Sequence, residues 1–178
     1  MKIYIVRHGQ VNHNLYKIYD NIDEDLNENG LNQAKELRKK IEEMNLKYDI
    51  IITSPLIRAK HTAEIINFKN KEIIMNNRLI ERDPKNLSGK SIYDTDREEY
   101  WNYNTKIQYG NSENIKDFMD RVFEFIDELK NKKEYESVLI TAHSGVSRAF
   151  DAYFNEIQDG KLLKRGLKNC EIKEYIIK

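Results

Sequence analysis

Four side chains in this sequence have the types and settings that suit phosphorus chemistry. Arg7 and His8 close the run Ile3-Tyr4-Ile5-Val6, Arg58 follows Thr53-Ser54-Pro55, and His143 stands in Ala142-His143-Ser144-Gly145. Guanidinium groups hold a dianionic phosphate through charge-assisted hydrogen bonds in a fixed fork. A neutral imidazole is a nucleophile toward phosphorus, and with a reference pKa of about 6.5 it stays partly neutral near pH 7. Two arginines and two histidines in one place would therefore make a phosphate pocket with a nucleophile inside it.

The elements around them say how they could meet. The apolar runs at 3–6, 50–52 and 138–140 are rich in β-branched residues, continuous rather than alternating, and bounded by polar residues. That pattern predicts parallel strands covered on both faces. Each run ends just before one of the chemical motifs, and ligands of open α/β sheets bind outside the carboxyl ends of the strands. Helical spacing is clearest in Ile115, Phe118, Met119, Val122, Ile126 and Leu129, which form one apolar stripe. A second helix is expected from the N-cap residue Asn27, carrying Leu31, Ala34, Leu37, Ile41 and Met44 inward. A third is expected after Ser54-Pro55, with the proline in its first turn, running to about Ile66.

Residues 72–75 and 171–177 read as further strands. Strand and helix alternate, so the expected fold is α/β, a three-layer α/β/α sandwich with a mostly parallel central sheet. No Gly/Ser linker or internal repeat divides the chain, which is read as one domain over residues 1–178. Residues 82–112 carry Tyr93, Tyr100, Trp101, Tyr103 and Tyr109 with no clear period. They are expected as a lid-like excursion over the active-site end of the sheet, with Tyr93, Tyr100 and Trp101 the candidates for facing substrate.

Composition narrows the function classes. A chain of 178 residues has the size of one domain, and 39% hydrophobic with 34% charged residues fits a folded, water-soluble one. Thirty basic and thirty acidic residues leave a formal charge of +0, so no global field attracts nucleic acid or an acidic membrane, and any anion site must be local. Cys170 is the sole cysteine, which excludes an internal disulfide and a multi-cysteine zinc ribbon and fits a reducing compartment. The apolar N-terminal run is too short for a signal peptide or membrane helix, so a cytoplasmic location is expected.

With these motifs in view the chain resembles the histidine phosphatase superfamily, of phosphoglycerate-mutase-like fold, over nearly its whole length. The resemblance is carried by Arg7-His8-Gly9 with Asn14 beyond it, by Asp23, Leu26, Gly30, Gln33 and Ala34, and by Ser54-Pro55-Leu56-Ile57-Arg58-Ala59 followed by Thr62-Ala63-Glu64. Further along, Leu79-Ile80-Glu81 with Gly89, the turn Gly110-Asn111-Ser112, and His143 with Gly145, Val146 and Arg148 continue it in the same order. It implies His8 as nucleophile, Glu81 as the acid, Arg7, Arg58 and His143 as holders of the phosphoryl oxygens, and Asn14 as a neutral donor.

Gln10 and Ser144 complete the expected site as substrate contacts. Gln10-Val11 stands where the family usually has Glu-Thr, Ser144 replaces a usual glycine, and Lys85 and Ser88 sit where Gly and Glu are common. These departures fall on the rim, and the chain is short beside the mutases, so hydrolysis of a small phosphorylated metabolite is expected over phosphoglycerate mutase-type transfer. No cofactor is called for, and no metal, because cationic side chains take the role of magnesium. The expected partner is the substrate alone, without nucleic acid or membrane, and the sequence leaves monomer and homodimer equally open.

Taken singly, Glu64, Asp83 and Glu98 compete with Glu81, and His13 and His61 read as structural or surface histidines. A serine hydrolase would need Gly-x-Ser-x-Gly, but Ala142 and Val146 occupy the glycine positions around Ser144. A non-catalytic phosphate-binding module would be expected to lose the nucleophile or the acid, and both remain.

Overall fold

The computed structural model describes residues 1–19, 23–157 and 159–177. Its centre is one five-stranded sheet of order β3-β2-β4-β1-β5, formed by β1 (Lys2–Arg7), β2 (Ile50–Thr53), β3 (Ile73–Met75), β4 (Ser137–Ala142) and β5 (Ile172–Ile176). The first four strands run parallel and β5 pairs antiparallel with β1. Side chains of β1 alternate between the two faces: Ile3 and Ile5 join one apolar cluster, Tyr4 and Val6 the other. Helices α5 (Ile115–Lys130) and α6 (Ser144–Phe154) cover the first face, while α2 (Glu28–Glu43) and α3 (Ile57–Ile66) cover the second. The expected three layers are present.

Local chemistry sets the helix starts. The Asn27 side chain accepts from the Gly30 N–H at 2.8 Å, capping α2. The expected proline in the first turn of α3 is not there: Leu56 is extended, at φ −66° and ψ 135°, and the helix begins at Ile57. A carboxylate from elsewhere in the chain caps it, Asp23 Oδ1 accepting from the Ile57 N–H at 2.7 Å. A short helix, α1 (Asn12–Tyr16), follows the end of β1.

Register brings the motifs level. Arg7 pairs with Ala142, and Thr53 with Thr141. The ladder then runs one step further, His8 N–H donating to the Ala142 carbonyl at 2.9 Å and Ser54 N–H to Thr141 at 3.0 Å. Because β5 is antiparallel, the loop leading into it arrives at the same end. Cys170 N–H donates to the Arg7 carbonyl, and the Asn169 side chain to the His8 carbonyl at 2.9 Å.

Residues 82–112 form three short helices, two of them single 3-10 turns (Lys85–Leu87 and Ile92–Asp94) and the third α4 (Arg97–Tyr100). Asn86 and Asn111 exchange backbone-to-side-chain bonds of 3.0 and 3.2 Å at the neck of this segment. Its body is tied to 17–19 through an Ile18–Ser91 bridge, and to 160–162 through an Asn102–Lys161 bridge. Tyr100 and Trp101 anchor it in the core, packed edge-on to each other at 5.5 Å.

Candidate active site

A cavity of about 450 Å³ opens at the carboxyl ends of the parallel strands. His8 lies on its wall, 3% exposed. The His8 Nδ1 is 2.7 Å from the Gly9 carbonyl oxygen, which can only accept, so the proton sits on Nδ1 and Nε2 carries the lone pair. Burial and the charges of Arg58 and Arg7 hold its pKa well below the ordinary 6.5. A ring that is neutral at physiological pH, with its free nitrogen fixed by the backbone, is what an attack on phosphorus requires.

Near it stand the three residues expected to hold the phosphoryl oxygens. Arg58, in the first turn of α3, is 3% exposed and lines the cavity. Arg7 donates to the Leu167 carbonyl at 2.9 Å, while its Nε is buried without a hydrogen-bond partner among the described residues. Desolvation lowers the Arg7 pKa. His143 is fully buried and lies behind the cavity lining rather than on it, its ring edge-on to that of His8 at 5.1 Å. Its Nε2 meets Ser54 Oγ at 2.8 Å and its Nδ1 has no partner among the described residues. Burial first, and then Arg58 and His8, push the His143 pKa well below 6.5. A buried donor left unpaired, such as Arg7 Nε, costs roughly 1–3 kcal/mol, and an anion in the cavity would recover that.

Glu81 is the one carboxylate on the cavity wall among the described residues. Its Oε1 accepts from the Arg82 N–H and its Oε2 from the Gly145 N–H, both at 2.9 Å, the second at the start of α6. Position 145 must be glycine for this: a Cβ there would stand 2.0 Å from Glu81 Oε1 and 2.7 Å from the Trp101 ring. The rival acids are elsewhere. Glu64 pairs with Lys60 at 3.8 Å, Asp83 pairs with Lys85 at 2.9 Å, and Glu98 is exposed.

The three remaining predicted contacts also line the cavity. Asn14 Oδ1 accepts from Asn169 at 3.3 Å. Gln10 is held by α2, its N–H donating to Gln33 Oε1 at 2.8 Å and its Oε1 accepting from Asn27 and Asn29. Position 30 is also glycine by contact, since a Cβ there would meet the Gln10 carbonyl oxygen at 2.1 Å. Ser144 Oγ accepts from Arg148 Nη1 at 2.9 Å. Tyr93, Tyr100 and Trp101 all reach the cavity, Tyr93 being 71% exposed and the other two largely buried.

Several wall residues escaped the sequence reading. His13, expected as structural or surface, lines the cavity with its Nδ1 2.8 Å from Glu24 Oε2; His61 pairs with Asp25 at 2.9 Å away from it. Lys17, Arg82, Arg97, Arg148 and Lys168 add five cations to Arg7 and Arg58. Arg148 was visible as a motif residue without a role; it lies 4.3 Å over the Trp101 ring, and burial lowers its pKa to about 9. A chain of zero net charge thus gathers seven Lys and Arg residues against one carboxylate on a single cavity. Among the described residues no group of three or more His, Cys, Asp or Glu side chains is placed to hold a metal ion, and no helix is long and apolar enough to cross a membrane.

Comparison with known proteins agrees with this architecture. Residues 3–178 match the model of the histidine phosphatase superfamily, branch 1. The chain therefore belongs to that superfamily. It is 31% identical over 176 residues to the uncharacterized phosphatase PhoE of Bacillus subtilis, covering 96% of this chain and 88% of that one. It is 28% identical over 176 residues to a 2,3-bisphosphoglycerate-dependent phosphoglycerate mutase of Rhizobium meliloti, covering 92% and 83%. Among solved structures, YhfR of Bacillus stearothermophilus superposes with a TM-score of 0.86 at 25% identity, over 99% of this chain and 91% of the other.

Proposed function

We propose that this protein hydrolyses phosphomonoesters of small metabolites through a phosphohistidine on His8. The observation that carries this reading is the His8 ring itself, neutral, with Nδ1 tied to the Gly9 carbonyl and Nε2 free in a cationic cavity. Attack by the Nε2 lone pair forms the P–N bond as the ester P–O bond breaks, and the leaving oxygen takes the proton of the Glu81 carboxyl. Water then attacks phosphorus, gives its proton to the Glu81 carboxylate, and the P–N electron pair returns to Nε2, releasing phosphate. Arg7, Arg58 and His143 hold the non-bridging oxygens, with Asn14 as a neutral donor and Gln10 and Ser144 at the rim.

Fixed protein cations suffice for the charge that spreads over the phosphoryl oxygens, so in this reading the reaction needs no divalent metal. Residues 82–112 act as the lid-like wall that fits the alcohol part of the substrate. The reducing environment suited to a lone, half-buried Cys170 supports a cytoplasmic location.

Rapid quench with a ³²P-labelled substrate and peptide mapping tests the assignment. An acid-labile, base-stable adduct on His8 is expected, unaffected by EDTA; label on Ser54 or Ser144, or a large loss on chelation restored by magnesium or zinc, overturns it. The mutase relative sets the second arm of the test. Turnover that requires priming by bisphosphoglycerate would assign transfer rather than hydrolysis.

A further inference from the structure

The two buried histidines of the site are held by different kinds of partner, and the difference decides where their protons lie. For His8 the partner is a carbonyl, which leaves no choice. For His143 it is the Ser54 hydroxyl, which can donate or accept. Ser54 Oγ has two neighbours within hydrogen-bond distance among the described residues, the Leu56 N–H at 3.4 Å and His143 Nε2 at 2.8 Å. The first can only donate. If His143 Nε2 also carried a proton, Ser54 would accept twice and its own hydroxyl hydrogen would be buried with no acceptor. His143 Nδ1 would then be a bare, buried lone pair on a ring 5.1 Å from that of His8. With the proton on Nδ1, the Ser54 hydroxyl donates to Nε2, accepts from Leu56, and the sole group left open is an N–H ready for an anion.

We propose that Ser54 is a positioning residue that keeps the His143 proton on Nδ1. His8 and His143 then share one tautomer and offer opposite ends of it to a single phosphoryl group, a lone pair from His8 Nε2 and an N–H from His143 Nδ1. The backbone that sets Ser54 is itself locked by hydroxyls: Thr141 Oγ1 donates to Thr53 Oγ1 at 2.7 Å, and Thr53 Oγ1 to the Ser54 carbonyl at 3.0 Å. All four side chains are at or near zero exposure, so water does not compete for these bonds. The tautomer stands on hydrogen-bond accounting alone, whereas the use made of it rests on the phosphatase reading.

Long-range ¹H–¹⁵N correlation spectra of the histidine-labelled protein at neutral pH read the tautomer directly. The expected result for the wild type is a protonated Nδ1 on both His8 and His143. A protonated Nε2 on His143 overturns the proposal without any variant. Ser54→Ala should move the His143 proton wholly or partly to Nε2 while leaving the His8 pattern intact. It should also weaken binding of orthovanadate about 10- to 100-fold, the range for removing the partner of a charge-assisted hydrogen bond. Ser54→Thr, which retains a hydroxyl, should restore the Nδ1 tautomer and most of the affinity. An unchanged tautomer and affinity in Ser54→Ala would remove the role of Ser54. A correct tautomer with no phosphohistidine on His8 would instead sink the phosphatase reading and leave this one in place.

Discussion

The floor of the cavity and the wall built by residues 82–112 are held in place by different means. At the floor, His8 lines the cavity while Ser54 and His143 lie behind its lining; the three are 3%, 0% and 0% exposed, and each takes its place from the parallel register of β1, β2 and β4. The wall is joined to the rest by side-chain clamps, two isolated bridges and the core anchors Tyr100 and Trp101, and it carries groups that face solvent, such as Tyr93. In the proposed mechanism, reaction chemistry is thus tied to the sheet, and the fit to a particular alcohol to a segment outside it. Changes on the floor should reduce the rate for every substrate. Changes on the wall and rim should alter apparent affinity for some.

The largest effect is expected from His8→Ala, which should lose on the order of 10⁴-fold or more in turnover with both p-nitrophenyl phosphate and alkyl phosphates. Glu81→Gln should lose about 10²- to 10⁴-fold in the phosphorylation burst with an alkyl phosphate. With p-nitrophenyl phosphate the loss should be far smaller, because that leaving group needs the proton less. Equal burst defects would assign the acid elsewhere, with Asp83 examined first. Gly145→Ala joins the two regions, since the added methyl must displace either Glu81 or Trp101. It should lower kcat and also cost about 1–3 kcal/mol of stability in urea titration. Full activity and unchanged stability would show that the acid is not held by this contact.

Rim charge gives a milder signature. Lys17, Arg97 and Lys168 line the cavity and form no side-chain hydrogen bond or ion pair among the described residues. Arg97→Ala should raise KM several-fold for anionic substrates with kcat retained, and the effect should shrink as salt rises. A fall in kcat with constant KM would place Arg97 on the floor's side of the comparison. The smallest effect is on stability against pH. The folded pKa values of His8 and His143 lie below 6.5, so between those values and 6.5 the unfolded chain binds more protons than the folded one. Stability contributed by the neutral rings is complete above about pH 6.5 and falls as pH drops below it. Thermal melts from pH 7 to pH 5 should show the decline, and His143→Ala should flatten it.

The same division governs what could be read from the sequence. The ends of β1, β2 and β4 were legible because a continuous apolar run followed by Arg7-His8, Ser54 or His143 is a local pattern, and parallel strands align such ends without further information. Asn27 as N-cap and the stripe of α5 were legible for the same reason. Lys168 and Asn169 were not, since they reach the site only through the antiparallel direction of β5, a pairing with β1 across the whole length of the chain. The start of α3 shifted because its cap, Asp23, is 34 residues away. His13 gave no periodic or motif signal, and its place became evident only from the position of α1 after the β1 end and its contact with Glu24.

The Asn86–Asn111 clamp has a consequence for how this scaffold can be changed. It closes a loop at its base, aided by the Glu113 N–H to Asp83 carbonyl bond of 2.8 Å, so the two points where the segment leaves and rejoins the body are fixed beside each other whatever lies between them. Lengthening a closed loop is cheap, about 0.6 kcal/mol for each doubling, whereas one residue inserted at Arg7–Gly9 would shift β1 against β4. Between these fixed points the exposed stretches of residues 87–110 should tolerate changes of length with the strand ends left untouched, provided that the core anchors Tyr100 and Trp101 are kept.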